Sequence, residues 1–246
     1  MKEERHQRIL NILSDGEYKS VEALSRELYV SMPTIRRDLT AMQQMGLVMR
    51  SHGGVIRITG IDAPPLSFRI GVNSTEKMRL AQAASQLLCD DCLIYLDEST
   101  TTLHLIEHLP RFNNIKVVTN SMSVLQALYK HKIPAYCLGG EFARETLSFY
   151  GRDTEKMVER FGIDLMFFSS SGINQKGWIV DYSQPANSLR RQVLQQAETK
   201  VFLCDRSKVG KHGAYTLAPL SDMDYLVLEA PLPAGMDTGK AKILYL

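Results

Sequence analysis

Apolar residues in the first 58 positions recur at the spacing of α-helices and then at the spacing of β-strands. Three stretches each place three apolar side chains on one helical face. They are Ile9, Ile12 and Leu13, then Val21, Leu24 and Leu28, then Ile35, Leu39 and Met42. Two strand-like runs follow at 47–50 and 55–58, joined by Ser51-His52-Gly53-Gly54. This order predicts three short helices and a glycine-tipped β-hairpin.

Polar residues, glycines and one proline indicate where these helices begin and end. Asp15-Gly16 is expected to end the first helix, and the Ser20 hydroxyl is expected to cap the second. Pro33 falls in the first turn of the third helix, where its missing N–H costs no hydrogen bond, and Gly46 follows that helix. The connection between the second and third helices is therefore only Tyr29-Val30-Ser31.

From about residue 75, short apolar strands alternate with helices. Strands are predicted at 92–96, 115–118, 134–138, 164–168, 200–204 and 225–228, and helices at 75–88, 101–109, 121–131, 154–161 and 187–198. This alternation is typical of a mostly parallel sheet covered on both faces.

The third helix presents a basic polar face opposite its apolar one. With Ile35 inward, Pro33, Arg37 and Thr40 project outward, and Thr34 and Arg36 flank them. Arginine can donate two hydrogen bonds to guanine, and threonine can contact a thymine methyl or a phosphate, so this face suits a major groove. The alternative is a small helical bundle whose arginine pair is merely solvated. The tight turn, Pro33 and the glycine-tipped hairpin favour a winged helix-turn-helix.

The predicted DNA contacts lie on this helix, in the turn before it and on the hairpin. They are Ser31, Pro33, Thr34, Arg36, Arg37, Thr40, Arg50, His52 and Gly53. Arg50, His52 and Arg57 surround the hairpin tip and are expected to contact the DNA backbone near the minor groove. Because one short helix makes few contacts, we expect at least a homodimer on paired half-sites.

The sequence therefore predicts an α/β protein with a winged helix-turn-helix at 1–58, a linker at 59–74 containing Pro64-Pro65, and a larger α/β domain at 75–246. The formal charge of +2 is too small to indicate a nucleic-acid partner by itself. The charged N-terminus and the lack of a long apolar run predict a cytoplasmic protein. Cys92, Cys137 and Cys204 fall in apolar runs and are expected to be buried, and no disulfide scaffold is expected.

One continuous motif resembles a known family. The run from Val30 to Leu39 (VSMPTIRRDL), then Gly46-Leu47 and the run RSHGGV at 50–55, closely resembles the signature of the DeoR family of sugar-metabolism regulators. The resemblance extends over nearly the whole chain. It implies a DNA-binding regulator whose sensor domain is similar in fold to sugar-phosphate isomerases and coenzyme A transferases and binds phosphorylated sugars without turning them over.

Small and polar residues follow several predicted strands of the larger domain, where ligands of open α/β sheets bind. Ser99, Thr100 and Thr101 open a helix and suit an anion, although Ser99 can instead serve only as an N-cap. Lys208 supplies a cation after another strand. With Asp181 and Arg190, which the resemblance implies, the predicted effector-binding residues are Asp97, Ser99, Thr100, Thr101, Thr119, Asn120, Gly140, Asp181, Arg190 and Lys208.

The chain departs from the family pattern in this domain. Glu98-Ser99 replaces a glycine pair, Ser169-Ser170-Ser171 replaces a segment that often reads Gly-Ala-Asp, Asn187-Ser188 lies where an acidic residue is common, and Arg190 replaces a usual lysine. A carboxylate about 4 Å from a phosphate charge costs about 4 kcal/mol at an effective dielectric constant near 20. We therefore expect either that Glu98 points away from the ligand or that the effector is not a usual sugar phosphate.

Two other classes of protein remain open from the residues. An isomerase-like enzyme could use Asp97 or Asp181 with Lys208 in acid–base chemistry on a sugar phosphate. Alternatively, the α/β domain could serve only oligomerisation. The N-terminal motif favours a regulator, most simply a repressor of carbohydrate genes. No metal or other cofactor is predicted, because the single C-x-x-C at 89–92 and the pair His104 and His108 lack further ligands.

Overall fold

The structure is a computed structural model of the 246-residue chain, and it describes residues 2–14, 17–44, 47–51, 54–57 and 66–246. The chain divides into two compact units, Met1–Val72 and Asn73–Leu246. Part of the predicted linker, residues 59–65, lies outside the described residues. So do Asp15-Gly16, Gly46, and the hairpin residues His52 and Gly53.

The first unit contains the predicted helices and hairpin. Its elements are α1 (Lys2–Ile12), β1 (Lys19–Ser20), α2 (Val21–Leu28), α3 (Met32–Gln44), β2 (Val48–Ser51), β3 (Gly54–Arg57) and α4 (Leu66–Gly71). The nine predicted core residues are buried, except that Ile12 is half-buried. The Ser20 hydroxyl accepts a hydrogen bond from the N–H of Ala23, which confirms the predicted cap of α2. Tyr29 then ends α2 in the left-handed conformation, with φ of 55°.

A third strand and a fourth helix were not predicted in this unit. β1 adds to the hairpin in the order β1-β3-β2, and all neighbours are antiparallel. A side chain at Gly54 would meet the Tyr18 ring at 2.4 Å, so this approach requires glycine. The stretch 60–74 was expected to lack periodic structure, but α4 forms within it. Both elements are too short to show a period in sequence.

The second unit is built on a parallel sheet. Its helices are α5 (Ser74–Ala84), α6 (Met122–Lys130), α7 (Arg152–Val158) and α8 (Gln184–Gln196), with 3₁₀ helices at Ser85–Leu87, Thr102–Arg111, Arg206–Lys208 and Leu220–Asp222. Its strands are β4 (Leu93–Leu96), β5 (Lys116–Thr119), β6 (Ala135–Cys137), β7 (Glu141–Ala143), β8 (Ser148–Tyr150), β9 (Ile163–Phe168), β10 (Gly172–Ile173), β11 (Trp178–Asp181), β12 (Ala197–Cys204), β13 (Tyr215–Pro219), β14 (Tyr225–Leu228) and β15 (Lys242–Tyr245). The main sheet has the order β15-β14-β12-β9-β4-β5-β6, and every neighbouring pair is parallel.

The sheet separates two apolar clusters. Along β4, Tyr95 belongs to one cluster, and Ile94 and Leu96 belong to the other, because successive side chains of a strand point to opposite faces. This arrangement confirms the predicted α/β fold with a sheet covered on both faces. Among the described residues, no helix has the length and apolar character needed to cross a bilayer.

Three details of the second unit differ from the prediction. The helix expected at 101–109 is a 3₁₀ helix at Thr102–Arg111. The paired strands β7–β8, the small sheet β10-β11-β13 and the strand β15 of the main sheet were missed, because tertiary contacts and not a local apolar pattern determine them. Cys137 is exposed on β6, so the expectation that it is buried was wrong, since β6 is an edge strand.

Candidate nucleic-acid interface and effector site

The outer face of α3 carries the predicted DNA contacts. Pro33, Arg36, Arg37 and Thr40 are exposed, and Ile35 is fully buried on the opposite side. The guanidinium groups of Arg36 and Arg37 have no hydrogen-bond or ion-pair partner among the described residues. The basic groups are therefore presented outward from the N-terminal half of a rigid helix, the geometry that major-groove recognition uses.

Side-chain hydrogen bonds fix the start of α3 and link α3 to the hairpin. The hydroxyls of Ser31 and Thr34 lie 3.0 Å apart. Nη1 of Arg50 lies 2.6 Å from Oγ1 of Thr40, to which it donates a hydrogen bond. Arg57 differs from the expectation, because its Nη1 donates to the carbonyl of Leu10 at 3.4 Å instead of extending towards the hairpin tip.

Asp38 is the buried anchor of α3, and its role was not foreseen. Arg5 donates two hydrogen bonds to its carboxylate, at 2.5 and 3.1 Å, and Nε2 of His6 lies 3.2 Å from Oδ1. Burial alone would raise the pKa of Asp38, but the hydrogen bond and charge of Arg5 outweigh it and lower the pKa. Asp38 therefore ties α3 to α1.

In the second unit, the carboxyl ends of β4, β5, β9 and β12 meet at one edge of the sheet, because these strands are parallel. Asp97 follows β4 and is fully buried. Its Oδ1 accepts hydrogen bonds from the N–H of Ser99 and the hydroxyl of Thr102. Its Oδ2 accepts from the N–H of Ser169, at the end of β9, and from Arg190 on α8. Asp97 thus connects the loop after β4 to the end of β9 and to helix α8.

Arg190 lies at the centre of a buried ionic cluster, which we define as Asp97, Glu98, Asp181 and Arg190. Its Nη2 lies 3.1 Å from Asp97 and 2.6 Å from Glu98, and its Nη1 lies 2.8 Å from Asp181. Burial lowers the pKa of Arg190, but the three carboxylates outweigh burial and raise the pKa well above its ordinary value. In this structure the guanidinium of Arg190 therefore holds three carboxylates of the protein together.

The pKa values of Glu98 and Asp181, two further carboxylates of the ionic cluster, are shifted in opposite directions. Burial raises the pKa of Glu98, and the charges of Asp97 and Asp181 add to this increase. Burial also opposes ionisation of Asp181, but the charge of Arg190 and hydrogen bonds from Ser183, Ser171 and Tyr182 lower its pKa. Glu98 is only 5% exposed and faces Arg190, so it does not point away from the cluster.

The remaining predicted effector residues lie at the same sheet edge or beside it. Asn120 accepts a hydrogen bond from the hydroxyl of Tyr95 and donates to the carbonyl of Phe149. Thr119 accepts from the N–H of Ser121, and Ser99 accepts from the N–H of Thr102. Ser99 thus forms the local cap that was one of its two alternatives. These contacts give Asn120, Thr119 and Ser99 roles within the fold itself.

Gly140 and Lys208 have clear local roles. Gly140 has φ of 132°, and a Cβ there would meet the Thr154 hydroxyl at 2.1 Å. The backbone conformation and the packing therefore both require glycine at this position. Nζ of Lys208 donates to the hydroxyl of Ser169 at 2.7 Å and lies 3.9 Å from Asp205. Because Ser169 also donates its N–H to Asp97, Lys208 is connected to the ionic cluster through one serine.

Four polar side chains at this edge, including Asp205 through its Oδ2, keep buried atoms without a hydrogen-bond partner among the described residues. Oε2 of Glu98, Oγ1 of Thr101 and both amide atoms of Asn187 have no hydrogen-bond partner among the described residues. Asn187 lies one turn before Arg190 on the buried face of α8. Tyr95, Ser169 and Asn187 were not predicted as site residues. Ser169 and Asn187 lie in segments already noted as departures from the family pattern, whereas a tyrosine inside an apolar strand gives no sequence signal.

Other features of the unit lie apart from the ionic cluster. A cavity of about 390 Å³ is lined by Arg191, Leu194, Gln195, Lys200, Leu217, Ala218, Asp222 and Met223, none of which is a predicted effector residue. Cys89 and Cys92 form a disulfide, although none was expected. Burial raises the pKa of the Cys204 thiol to about 12. The described residues contain no group of histidines, cysteines and carboxylates suited to a metal ion.

Comparison with known proteins agrees with this two-part organisation. The family model described as a DeoR-like helix-turn-helix domain matches residues 5–60, and the DeoR C terminal sensor domain matches residues 72–230. The L-fucose operon activator of Haemophilus influenzae is 32% identical over 231 residues, which cover 93% of this chain and 92% of that protein. The glycerol-3-phosphate regulon repressor of Escherichia coli is 25% identical over 234 residues, which cover 95% and 93%.

Among solved structures, a D-ribose-5-phosphate isomerase in complex with phospho-erythronic acid is similar over 55% of this chain and 54% of its own, with 18% identity and a TM-score of 0.43. This partial likeness carries no functional information. The two family matches together span both units, and the named relatives are regulators. The chain therefore belongs to the DeoR family, and it is a DNA-binding transcriptional regulator and not an enzyme.

Proposed function

We propose that this protein represses genes of carbohydrate metabolism in the cytoplasm and that a phosphorylated sugar, or a related anionic metabolite, controls its affinity for operator DNA. The observation that supports this proposal most is the path from Lys208 through Ser169 to Asp97. It places a cation beside carboxylates at the carboxyl edge of a parallel sheet. Such an edge can hold an anionic group at Lys208 and sugar hydroxyls at Asp97 and Asn120.

The burial of these residues suits a sensor that changes conformation. Asp97, Thr101 and Asn120 are fully buried, and Lys208 is the more accessible side chain of the group, with 18% exposure. A ligand that contacts the buried residues must displace existing hydrogen bonds. Its binding energy would therefore favour an open arrangement over the closed one, which is what a switch requires.

DNA binding in this proposal uses the exposed face of α3, with Ser31, Pro33, Thr34, Arg36, Arg37 and Thr40, and Arg50 at the hairpin. His52 and Gly53 remain predicted backbone contacts. We also propose at least a dimer, because paired half-sites double the contacts of one recognition helix. A protein that stays monomeric at micromolar concentration, with and without operator, would contradict this part.

The test is an operator titration with and without a panel of sugar phosphates, on the parent protein and on Lys208→Ala. If the anion binds at Lys208, the variant should lose the response to effector and keep its operator affinity in the absence of effector. Lys240→Ala, which removes an exposed lysine, is the matched control. Because coupling is reciprocal, an effector that weakens operator binding tenfold must itself bind about tenfold more weakly to the DNA complex. An unchanged response in Lys208→Ala would place the anion site elsewhere.

A further inference from the structure

The ionic cluster holds more negative than positive charge. Asp97, Glu98 and Asp181 share the single guanidinium of Arg190, and each of the four side chains is at most 7% exposed. Lys208 does not balance this excess, because a fourth carboxylate, Asp205, lies 3.9 Å from its Nζ. A buried negative charge without a counter-ion is costly, so this part of the site favours a cation or the loss of one negative charge.

Buried polar atoms without a partner occur on two of the segments that carry the ionic cluster, the loop after β4 and helix α8. Oε1 of Glu98 is bound to Arg190, whereas Oε2 of the same carboxylate has no partner among the described residues. The Asn187 side chain is 1% exposed, and both its amide oxygen and its amide nitrogen are unpartnered. Buried polar atoms of this kind are rare in folded proteins, and a ligand that supplies hydrogen bonds is one explanation of them.

The chemistry of the free atoms selects among ligand groups. A phosphate would be repelled by Glu98 and its two neighbouring carboxylates. A hydroxyl could donate one hydrogen bond to Oε2 of Glu98, but it would leave the charge excess unchanged. An ammonium group donates three hydrogen bonds and also carries a positive charge, which pairs with the excess of carboxylates over the one guanidinium in the ionic cluster. It would favour the ionised form of Glu98, whose pKa the burial and the neighbouring carboxylates now raise.

We propose that the effector is a sugar phosphate with a free amino group, whose ammonium binds the Glu98 carboxylate with support from the Asn187 amide oxygen. This inference rests on the proposed function, and it adds the substituent that Glu98 selects. The phosphate of the same ligand lies towards Lys208, away from the charge excess at Glu98. Glu98 is therefore a residue that determines ligand specificity in the sensor domain. The preference for an amino group follows from a glutamate at a position where the family usually has glycine.

The experiment measures apparent dissociation constants by calorimetry for matched hexose 6-phosphates. The probes are glucosamine, galactosamine and mannosamine 6-phosphates, each compared with its hydroxyl counterpart and its N-acetyl derivative. At least one amino sugar should bind about tenfold more tightly than both of its matched compounds, a difference of about 1.4 kcal/mol. Glu98→Gln should still bind the hydroxyl compound, but it should bind the amino sugar with about the same dissociation constant as its hydroxyl counterpart. Glu107→Gln, at a side chain that is 72% exposed, should keep the preference.

The possible outcomes separate this inference from the proposed function. Hydroxyl compounds that bind as tightly as the amino sugars would overturn the inference and leave the proposed function intact. A preference that survives in Glu98→Gln would also overturn it. If none of these compounds binds, the inference is overturned, and the operator titration decides the proposed function separately. Should Glu98→Gln not fold, the comparison of amino with N-acetyl compounds on the parent protein still decides, because acetylation removes the positive charge.

Discussion

Nη2 of Arg190 lies 2.6 Å from Oε1 of Glu98 and 3.1 Å from Oδ2 of Asp97, so one guanidinium nitrogen joins two consecutive carboxylates that follow β4. Its Nη1 reaches Asp181, at the end of β11. The contact between Arg190 and Glu98 therefore connects α8 to the loop at the sheet edge. Arginine suits this role because its planar, branched guanidinium can serve several carboxylates at once, which a lysine cannot match.

Removing the guanidinium should strongly destabilise the sensor unit. Arg190→Ala would leave three buried carboxylates without their cation, and we expect a loss of about 3–5 kcal/mol in the free energy of unfolding. Arg191→Ala, at the neighbouring exposed position, should cost less than about 1 kcal/mol. Urea unfolding can be followed through the fluorescence of Trp178, the only tryptophan of the chain. Equal losses in both variants would mean that the ionic cluster contributes little.

The pH dependence of stability should reveal the raised pKa of Glu98. A carboxyl whose pKa is higher in the folded state holds its proton more tightly there, so the fold is favoured at low pH. That contribution is fully present below the unfolded pKa, near the ordinary value of 4.5, and is lost as pH rises through the folded pKa. Glu98→Gln cannot ionise. Its free energy of unfolding should therefore increase relative to that of the parent protein as pH rises through this window.

The control for this comparison is Glu107→Gln, whose side chain is exposed on the helix Thr102–Arg111. Its difference from the parent protein should stay nearly constant over the same pH range. A Glu98→Gln difference that falls with rising pH would show that Arg190 lowers the pKa of Glu98 more than burial raises it. Because the charges of Glu98 and Asp181 interact, the Glu98→Gln difference reports the titration of Glu98 together with the change that its loss causes at Asp181.

The sequence predicted those parts of the fold that repeat a period over several residues. The helices around Leu24 and Ile35 show a clear apolar face, and the strand from Leu93 to Leu96 is a continuous apolar run. Strands of only two residues, such as β1 and β10, are held by tertiary contacts that leave no local pattern. Cys137 was misplaced because an apolar run does not tell an edge strand from a central one.

The sequence also indicated which loops form the candidate site, but not how their side chains pair. Asp97 is distant in the chain from Asp181 and Arg190, and its contact with Arg190 depends on the order of the strands. The resemblance to the family pointed to these positions and raised the question of Glu98. Only the structure shows that Glu98 binds Arg190 and that the buried side chain of Asn187, one turn before Arg190, has no partner in the part of the chain that is described.

Asp38 should hold the recognition helix in place. Asp38→Asn removes the charge that Arg5 and His6 contact, and we expect the first unit to lose about 1–3 kcal/mol of stability. Because the folded pKa of Asp38 is lowered, this stability is present above the ordinary pKa of 3.8 and is lost as pH falls through the folded pKa. Hydrogen exchange of the α3 amides should be faster in Asp38→Asn than in Glu27→Gln, which changes an exposed side chain on α2. Equal exchange in the two variants would contradict this role.

Arg37 should contribute base-specific contacts to operator binding. It is exposed on the side of α3 opposite the buried Ile35, near the N-terminal half that enters a major groove. Arg37→Ala should weaken operator binding by about 1–3 kcal/mol and relax specificity at one base pair, whereas a lost phosphate contact would weaken all sequences alike. Arg8→Ala, at an exposed position of α1, is the matched control for charge. Binding should be measured at several salt concentrations, because every lost phosphate contact reduces the salt slope by about one. If the double variant Arg36→Ala with Arg37→Ala folds and binds the operator normally, α3 is not the recognition helix.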